Sequence, residues 1–139
     1  PILKTVLGSC VAVCLWDRSQ CFGGMNHFLY PVEREASEAT TKFGNVATRV
    51  LVRMMLEAGS RTENLVAQVL GGAGRGDVDG REMGQANACV AREVLERFGV
   101  RVLSEDVGGK MGRKVVFDVG SGEVAVLKVH RIRETDWLA

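Results

Sequence analysis

Apolar residues fall in short runs over the N-terminal part of the chain, and each run has the length of a β-strand. The runs lie at residues 2–7, 11–16 and 22–30. The run at 11–16 is apolar at every position, which is typical of a strand buried on both faces. Residues 17–20 have turn composition, so we expect the strands at 11–16 and 22–30 to form a hairpin that Pro31 closes.

Two later segments repeat apolar residues at intervals of three and four, the spacing of an amphipathic helix. The first runs from about Thr40 to Ala58 and the second from about Gln85 to Phe98, and each is followed by a glycine that can end a helix. Residues 32–38 have the polar, acidic composition of a loop. Further strands are predicted at 65–70, 101–104, 114–119 and 123–129, and a peripheral tail at 131–139.

This order of strands and helices indicates one layered α/β (α+β) domain over residues 1–139, with a mixed β-sheet and two main helices. Charge is balanced, with 18 Lys and Arg against 17 Asp and Glu. No strong field therefore exists to attract nucleic acid, and no apolar run reaches the roughly 18 residues that membrane insertion requires. Four cysteines in a chain of 139 residues do not resemble a disulfide scaffold, so we expect a cytoplasmic protein.

Cys10 and His27 form the candidate catalytic pair. Cys10 ends the run Leu7-Gly8-Ser9-Cys10, and His27 lies on the next predicted strand. Two strands of one hairpin would bring the thiol and the imidazole to the same end of a sheet. An imidazole is the usual base that turns a thiol into a nucleophilic thiolate, and a turn at Gly8-Ser9 offers backbone N–H groups for an oxyanion hole.

Structural alternatives stay open for both residues. A cysteine flanked by apolar residues is often a buried hydrophobe, and a lone histidine in an apolar strand is often a satisfied core residue. A zinc site is a weaker alternative because the sequence lacks a paired C-x₂-C motif. Its candidate ligands would be Cys10, Cys14, Cys21 and His27.

Two segments of the chain are rich in glycine, and neither indicates a cofactor site. Residues 71–76 match neither a dinucleotide-binding motif nor a P-loop, so they are a turn or a wall of an active site. Residues 108–114 are either a basic binding loop or a solvated strand connection. The sequence predicts no cofactor and no metal.

Several blocks of the chain closely resemble the CheD family of chemoreceptor glutamine deamidases. The run from Leu7 to Leu15, with its Gly-Ser-Cys core, is followed by Gly23-Gly24-Met25-Asn26-His27-Phe28 at the Cys-to-His spacing of that family. The later blocks resemble it too, and they are Gly71-Gly72-Ala73, Ala86-Asn87-Ala88 to Phe98-Gly99, and Asp106-Val107-Gly108-Gly109 with Gly112-Arg113 through Phe117-Asp118. Family strands that would precede Pro1 are expected to be missing from this sequence.

The resemblance implies a layered sandwich similar to the catalytic domain of deamidating toxins. It also implies a protein-glutamine glutaminase, a cysteine amidohydrolase that converts glutamines of methyl-accepting chemotaxis receptors to glutamate. A receptor methylesterase side activity and a CheC-type phosphatase as binding partner belong to the same expectation. The alternative from another class is a non-catalytic chemotaxis adaptor that binds receptors or a CheC-type phosphatase. A cysteine hydrolase acting on another amide or ester is a third possibility.

Carried over residue by residue, Cys10 matches the family's nucleophile and His27 its general base. The third member is a threonine six residues before the cysteine, where this sequence has Lys4, and Thr5 stands one position later. Side chains alternate along a strand, so this shift predicts that Thr5 points to the opposite face unless the chain is offset locally. Two alternatives follow: Thr5 orients His27, or another group takes that role.

Overall fold

The structure is a computed structural model that describes residues 1–31, 43–74 and 78–129. Within these ranges the chain alternates strands with two α-helices. The elements are β1 (Ile2–Leu7), β2 (Val11–Asp17), β3 (Phe22–Met25), α1 (Gly44–Glu57), β4 (Leu65–Gly71), α2 (Val78–Arg97), β5 (Arg101–Val107), β6 (Gly112–Asp118) and β7 (Val124–Val129). None of the helices in the described part of the chain is both long and apolar enough to cross a membrane.

The strands form two sheets. One is antiparallel and has the order β1-β6-β7, and the other has the order β3-β2-β4-β5. In the four-stranded sheet β2 pairs antiparallel with both β3 and β4, whereas β4 and β5 are parallel and α2 supplies the crossover between them. The mixed α+β architecture predicted from the sequence is confirmed.

The central strand β2 is buried on both faces, as its continuous apolar run predicts. Val11, Val13 and Leu15 pack against the core that the four-stranded sheet shares with the helices. Ala12 and Cys14 belong to a second core, which lies between the two sheets. The molecule therefore has three layers, with the four-stranded sheet in the middle.

The third strand is shorter than predicted. It ends at Met25, whereas the sequence predicts an end at residue 30. At this point the Oδ1 atom of Asn26 accepts the hydrogen bond from the Val13 N–H at 2.8 Å. A side-chain oxygen thus replaces the backbone carbonyl of the ladder. The hairpin register nevertheless continues, since Val11 and Phe28 pair again as an antiparallel bridge.

Two further boundaries differ from the prediction. The second helix begins at Val78, seven positions before the predicted start, although glycines lower its helix propensity. Tertiary packing explains one of them, because a Cβ atom on Gly84 would clash with Gly72. β5 continues to Val107, three residues beyond the prediction, because it pairs with β4 as far as Gly71.

Smaller differences concern the remaining elements. β6 begins and ends earlier than predicted, at Gly112–Asp118, and a 3₁₀ turn at Thr62–Asn64 was not predicted. The first helix begins at Gly44, and the predicted residues 40–42 lie outside the described residues. The predicted loop at 32–38 and the predicted tail at 131–139 also lie outside them.

The turn after β2 is organised by Asp17, which is fully buried. Its Oδ1 atom accepts hydrogen bonds from the backbone N–H groups of Ser19 and Gln20, at 2.8 and 2.9 Å. The Ser60 hydroxyl donates to its Oδ2 atom at 2.6 Å. Burial raises the pKa of Asp17, but these hydrogen bonds outweigh it and hold the pKa below its ordinary value of 3.8.

We predict that Asp17→Ala lowers the free energy of unfolding by about 3 kcal/mol, because three donors lose their acceptor and one of them is a buried hydroxyl. Since the folded pKa is depressed, the stabilisation is complete above pH 3.8 and is lost as the pH falls through the folded pKa. Urea unfolding of the variant and the wild type between pH 3 and pH 7 measures both effects.

Asp118 provides the matched control, because its Oδ1 atom accepts from the N–H groups of Gly120 and Ser121 in an exposed turn. Asp118→Ala should lower the free energy of unfolding much less than Asp17→Ala, because its hydrogen bonds are exposed to solvent. Equal losses in the two alanine variants would contradict the special role of the buried carboxylate.

Candidate active site

The segment that contains Cys10 connects the two sheets. β1 ends at Leu7 in the three-stranded sheet, and β2 begins at Val11 in the four-stranded sheet. The Gly8 carbonyl accepts a hydrogen bond from the Ala73 N–H at 2.9 Å, and the Cys10 carbonyl accepts one from the Gly72 N–H at 2.8 Å. The segment after β4 therefore holds the connection from both of its ends.

Gly71 allows this close approach. Its φ of +106° lies in the left-handed region, and a Cβ atom there would clash with the Cys10 carbonyl oxygen. The predicted glycine-rich segment thus lies directly beside Cys10 at its first positions, while residues 75–77 lie outside the described part of the chain.

The hairpin brings Cys10 and His27 to one face of the four-stranded sheet. Val11 and Phe28 exchange backbone hydrogen bonds of 3.2 and 2.9 Å. Cys10 precedes Val11 and His27 precedes Phe28, so the two residues are diagonal neighbours across the antiparallel pair. Cys10 packs against the core between the sheets, which identifies the shared face as the one that looks toward the three-stranded sheet.

Thr5 reaches His27 from that second sheet. Its Oγ1 atom lies 3.2 Å from His27 Nδ1, within hydrogen-bonding distance. Leu3 and Leu7 contribute to the core between the sheets, and Thr5 shares their face of β1, whereas Lys4 is exposed.

The expected mismatch at Thr5 therefore does not occur. Alternation along β1 does not continue into Cys10, because residues 8–10 leave one sheet and enter the other. Thr5 therefore lies on the inner face of β1, which looks toward the four-stranded sheet.

The imidazole of His27 is partly enclosed. Burial lowers its pKa below the ordinary value of 6.5, so the neutral ring dominates at pH 7. The Nε2 atom is buried and has no hydrogen-bond partner among the described residues. A neutral ring with an unpaired nitrogen can accept a proton from a nearby acid.

The other three cysteines occupy different environments. Cys14 is buried between the sheets, and burial raises the pKa of its thiol to about 12. Cys21 and Cys89 are exposed. Over residues 1–31, 43–74 and 78–129, no group of three or more His, Cys, Asp or Glu side chains is arranged to hold a metal ion. The structure does not assemble the alternative zinc set.

An apolar groove lies beside His27. The groove is lined by Met25, Asn26, His27, Ala47, Val50, Leu51 and Met54. Val50 and Met54 are exposed on α1, and Leu29 and Tyr30, which follow His27 closely in sequence, are exposed as well. Two exposed apolar side chains of α1 therefore line the same groove as the candidate base.

Of the two alternatives for residues 108–114, the structure favours a strand connection over a basic binding loop, since β6 begins at Gly112. Lys110 is exposed, but Arg113 is almost fully buried. Its guanidinium donates to Asp106 at 3.0 Å and to the Gly71 carbonyl at 3.4 Å. Arg113 is thus a structural cation beneath the residues that hold Cys10, and it is inaccessible to an external ligand.

Asn87 is a site residue whose role the sequence did not reveal. It is fully buried on α2, and its Nδ2 atom donates to the Ser9 carbonyl at 3.1 Å and to the Leu29 carbonyl at 3.2 Å. A signal did exist, because position 87 precedes Ala91 and Val94 by four and seven residues on the buried face of the helix. A polar side chain in such a stripe indicates a specific buried partner.

Comparisons with known proteins place these features in context. The sequence model of one family, described as CheD chemotactic sensory transduction, matches residues 30–128. This range begins after Cys10 and His27, so the match depends on the later elements of the fold and not on the candidate catalytic pair.

Named relatives extend over more of the chain. A "Probable chemoreceptor glutamine deamidase CheD" of Trichlorobacter lovleyi is 41% identical over 124 residues, which are 88% of this chain and 77% of the relative. A "Probable chemoreceptor glutamine deamidase CheD 1" of Anaeromyxobacter dehalogenans is 48% identical over 127 residues, with coverages of 86% and 71%. A similarly named protein of Methanococcus vannielii is 34% identical over 134 residues, with coverages of 94% and 87%.

The environments of the four thiols lead to a prediction about alkylation. In a brief iodoacetamide pulse at pH 7, Cys10 should react fastest, because a base on the same sheet face favours its thiolate. Cys14 should stay unmodified in the folded protein, since burial raises its pKa to about 12. Peptide mass mapping after quenching gives the modified fraction at each position.

Two comparisons test this order. In His27→Ala, alkylation of Cys10 should slow toward the rates of exposed Cys21 and Cys89, while those two rates stay unchanged. If Cys21 or Cys89 reacts before Cys10 in the wild type, the activated thiol assigned to Cys10 is wrong.

Proposed function

This chain belongs to the CheD family, and on that premise we propose that it deamidates glutamine side chains of methyl-accepting chemotaxis receptors. One observation carries the proposal. Cys10 and His27 each precede one residue of the Val11–Phe28 pair and share one sheet face. The Thr5 hydroxyl is within hydrogen-bonding distance of His27 Nδ1. The name shared by the relatives supports receptor glutamine as the substrate.

The chemistry proceeds through a thioester. The Cys10 thiol gives its proton to His27 and attacks the carboxamide carbon of the glutamine. The C–N bond then breaks, and the His27 imidazolium protonates the departing ammonia. The neutral imidazole next takes a proton from water, whose oxygen attacks the thioester. The C–S bond then breaks, the imidazolium returns its proton to the Cys10 sulfur, and glutamate and the free Cys10 thiol are the products.

Thr5 determines which nitrogen of His27 performs this work. When Nδ1–H donates to the Thr5 hydroxyl oxygen, Nε2 keeps its lone pair and can accept the proton. The buried Nε2 atom has no partner among the described residues, so no described group competes for that lone pair. Burial, which lowers the pKa of His27, keeps the ring neutral before the reaction.

The apolar groove beside His27 supplies the surface for a receptor helix. Exposed Val50 and Met54 are one helical turn apart on α1, and the groove they line also contains His27. A substrate helix lying there would bury its apolar side chains and present a glutamine to the catalytic pair. His27 is the residue that the groove and the candidate catalytic pair share.

Further properties follow from the family. We propose that the protein works in the cytoplasm and that it binds a CheC-type phosphatase. As a side activity it hydrolyses receptor methyl esters through the same Cys10 thioester. A non-catalytic adaptor of the same fold would bind receptors without needing the thiol. The Thr5–His27 contact favours the enzyme, because binding alone does not require an oriented imidazole.

Intact-mass analysis of receptor cytoplasmic fragments tests the deamidase. The wild type should add about 1 Da per converted glutamine and release an equal amount of ammonia, because an amide is replaced by an acid. Cys10→Ala and His27→Ala should abolish this change. Cys89→Ala is the matched control, since this exposed thiol lies on α2 and outside the described site, and it should keep full activity.

Binding measured on the same samples separates the two classes of function. The adaptor hypothesis would replace the enzyme hypothesis under two conditions. The wild type would bind the fragments without changing their mass, and Cys10→Ala would bind them equally well.

Thr5 provides a second prediction. Thr5→Val keeps the shape of the side chain but removes the hydroxyl, so kcat should fall by roughly 3- to 10-fold with KM unchanged, as expected from a hydrogen bond worth about 1 kcal/mol. Thr5→Ser retains the hydroxyl and should recover most of the loss. Wild-type activity in Thr5→Val, or equal losses in both variants, would remove Thr5 from the site.

A further inference from the structure

Asn87 links the two segments that contain the catalytic pair. Its Nδ2 atom donates to the carbonyl of Ser9, which directly precedes Cys10, and to the carbonyl of Leu29, two residues after His27. The side chain is fully buried on α2, in the layer on the other side of the sheet from Thr5. One amide group thus ties the segment before β2 and the segment after His27 to the helix layer.

The unused half of the amide makes this arrangement costly. The Oδ1 atom of Asn87 is buried and has no partner among the described residues. A buried acceptor without a partner carries a substantial desolvation penalty. The two N–H bonds of the Asn87 amide offset this penalty, because each donates to a carbonyl. The orientation of the two carbonyls is therefore coupled to the position of Asn87.

The Ser9 carbonyl matters because of peptide geometry. In a planar trans peptide the C=O and N–H groups point in opposite directions, so the Ser9 carbonyl and the Cys10 N–H belong to one rigid unit. Holding the carbonyl toward Asn87 therefore aims the Cys10 N–H away from α2. The Cys10 carbonyl is fixed separately by the Gly72 N–H at 2.8 Å, so both peptides around the nucleophile have a defined orientation.

We propose that Asn87 is a positioning residue that orients the Ser9–Cys10 peptide so that the Cys10 N–H stabilises the oxyanion of the acyl-transfer step. This inference rests on the proposed function in that it assumes Cys10 to be the nucleophile. A backbone N–H acts on an oxyanion only when it is aimed at the oxygen in advance. Asn87 acts through this N–H and does not itself touch the substrate.

Two reactions of the same thiol distinguish this role from general support of the site. Acylation of Cys10 by p-nitrophenyl acetate passes through a tetrahedral oxyanion: the S–C bond forms and p-nitrophenolate leaves. Alkylation by iodoacetamide displaces iodide at a CH₂ carbon and forms no oxyanion. Loss of the oriented N–H should therefore slow only the acylation.

The variants are Asn87→Ala and Asn87→Ser, with Val94→Ala as the control for a buried change on the same helix at an apolar side chain that can donate no hydrogen bond. Acylation of Cys10 should slow by roughly 10- to 100-fold in Asn87→Ala, while its alkylation stays within about twofold of wild type. Asn87→Ser keeps one donor for two carbonyls and should slow acylation less. Val94→Ala should change neither rate.

Each result has a defined meaning. The oxyanion role of Asn87 is wrong if acylation and alkylation of Cys10 slow equally in Asn87→Ala. It is also wrong if neither rate falls below its value in Val94→Ala. Should Asn87→Ala fail to fold, the ratio of the two rates in Asn87→Ser decides, with an unchanged ratio rejecting the proposal. These rates need no receptor, so a wild type that is acylated but deamidates no fragment refutes the proposed substrate and leaves the inference intact.

Discussion

The crossing of the chain between the two sheets is the constraint on which the rest of the structure depends. Within three residues the chain leaves β1 and enters β2, and its carbonyls at Gly8 and Cys10 are held by the N–H groups of Ala73 and Gly72. Gly71 makes the approach possible because its backbone is left-handed and it has no Cβ atom. Cys10, the candidate nucleophile, therefore lies in the connection between the two sheets, beside the backbone that follows β4.

A buried cation in the three-stranded sheet supports this crossing. Arg113 of β6 pairs with Asp106 of β5, and Lys128 also lies 3.2 Å from the same carboxylate. Burial raises the pKa of Asp106, but hydrogen bonds from the two cations outweigh it and lower the pKa. Arg113 is the buried partner of this pair, and it joins β6 to both Asp106 and the Gly71 carbonyl, so these residues tie the two sheets together beside Gly71.

Local patterns predicted much of the fold because they reflect burial within one element. The apolar run of β2 and the periodicity of α1 each appear as predicted over the described residues. The end of β3 was misjudged because a side-chain oxygen of Asn26 replaces a ladder carbonyl, which no hydrophobic pattern reports. The predicted start of α2 is wrong because Gly84 fits a close contact with Gly72 within the helix rather than a loop.

The sequence by itself determined the identity and spacing of Cys10 and His27, and it predicted the hairpin that joins them, because residues of turn composition separate two apolar runs. The structure adds the register that makes the two residues diagonal neighbours. Only the tertiary structure decided that Thr5 faces His27 and that Asn87 holds the Ser9 carbonyl. Both contacts join residues from different layers. Their geometry depends on how the sheets and α2 pack, and one residue of offset in a connection is enough to change it.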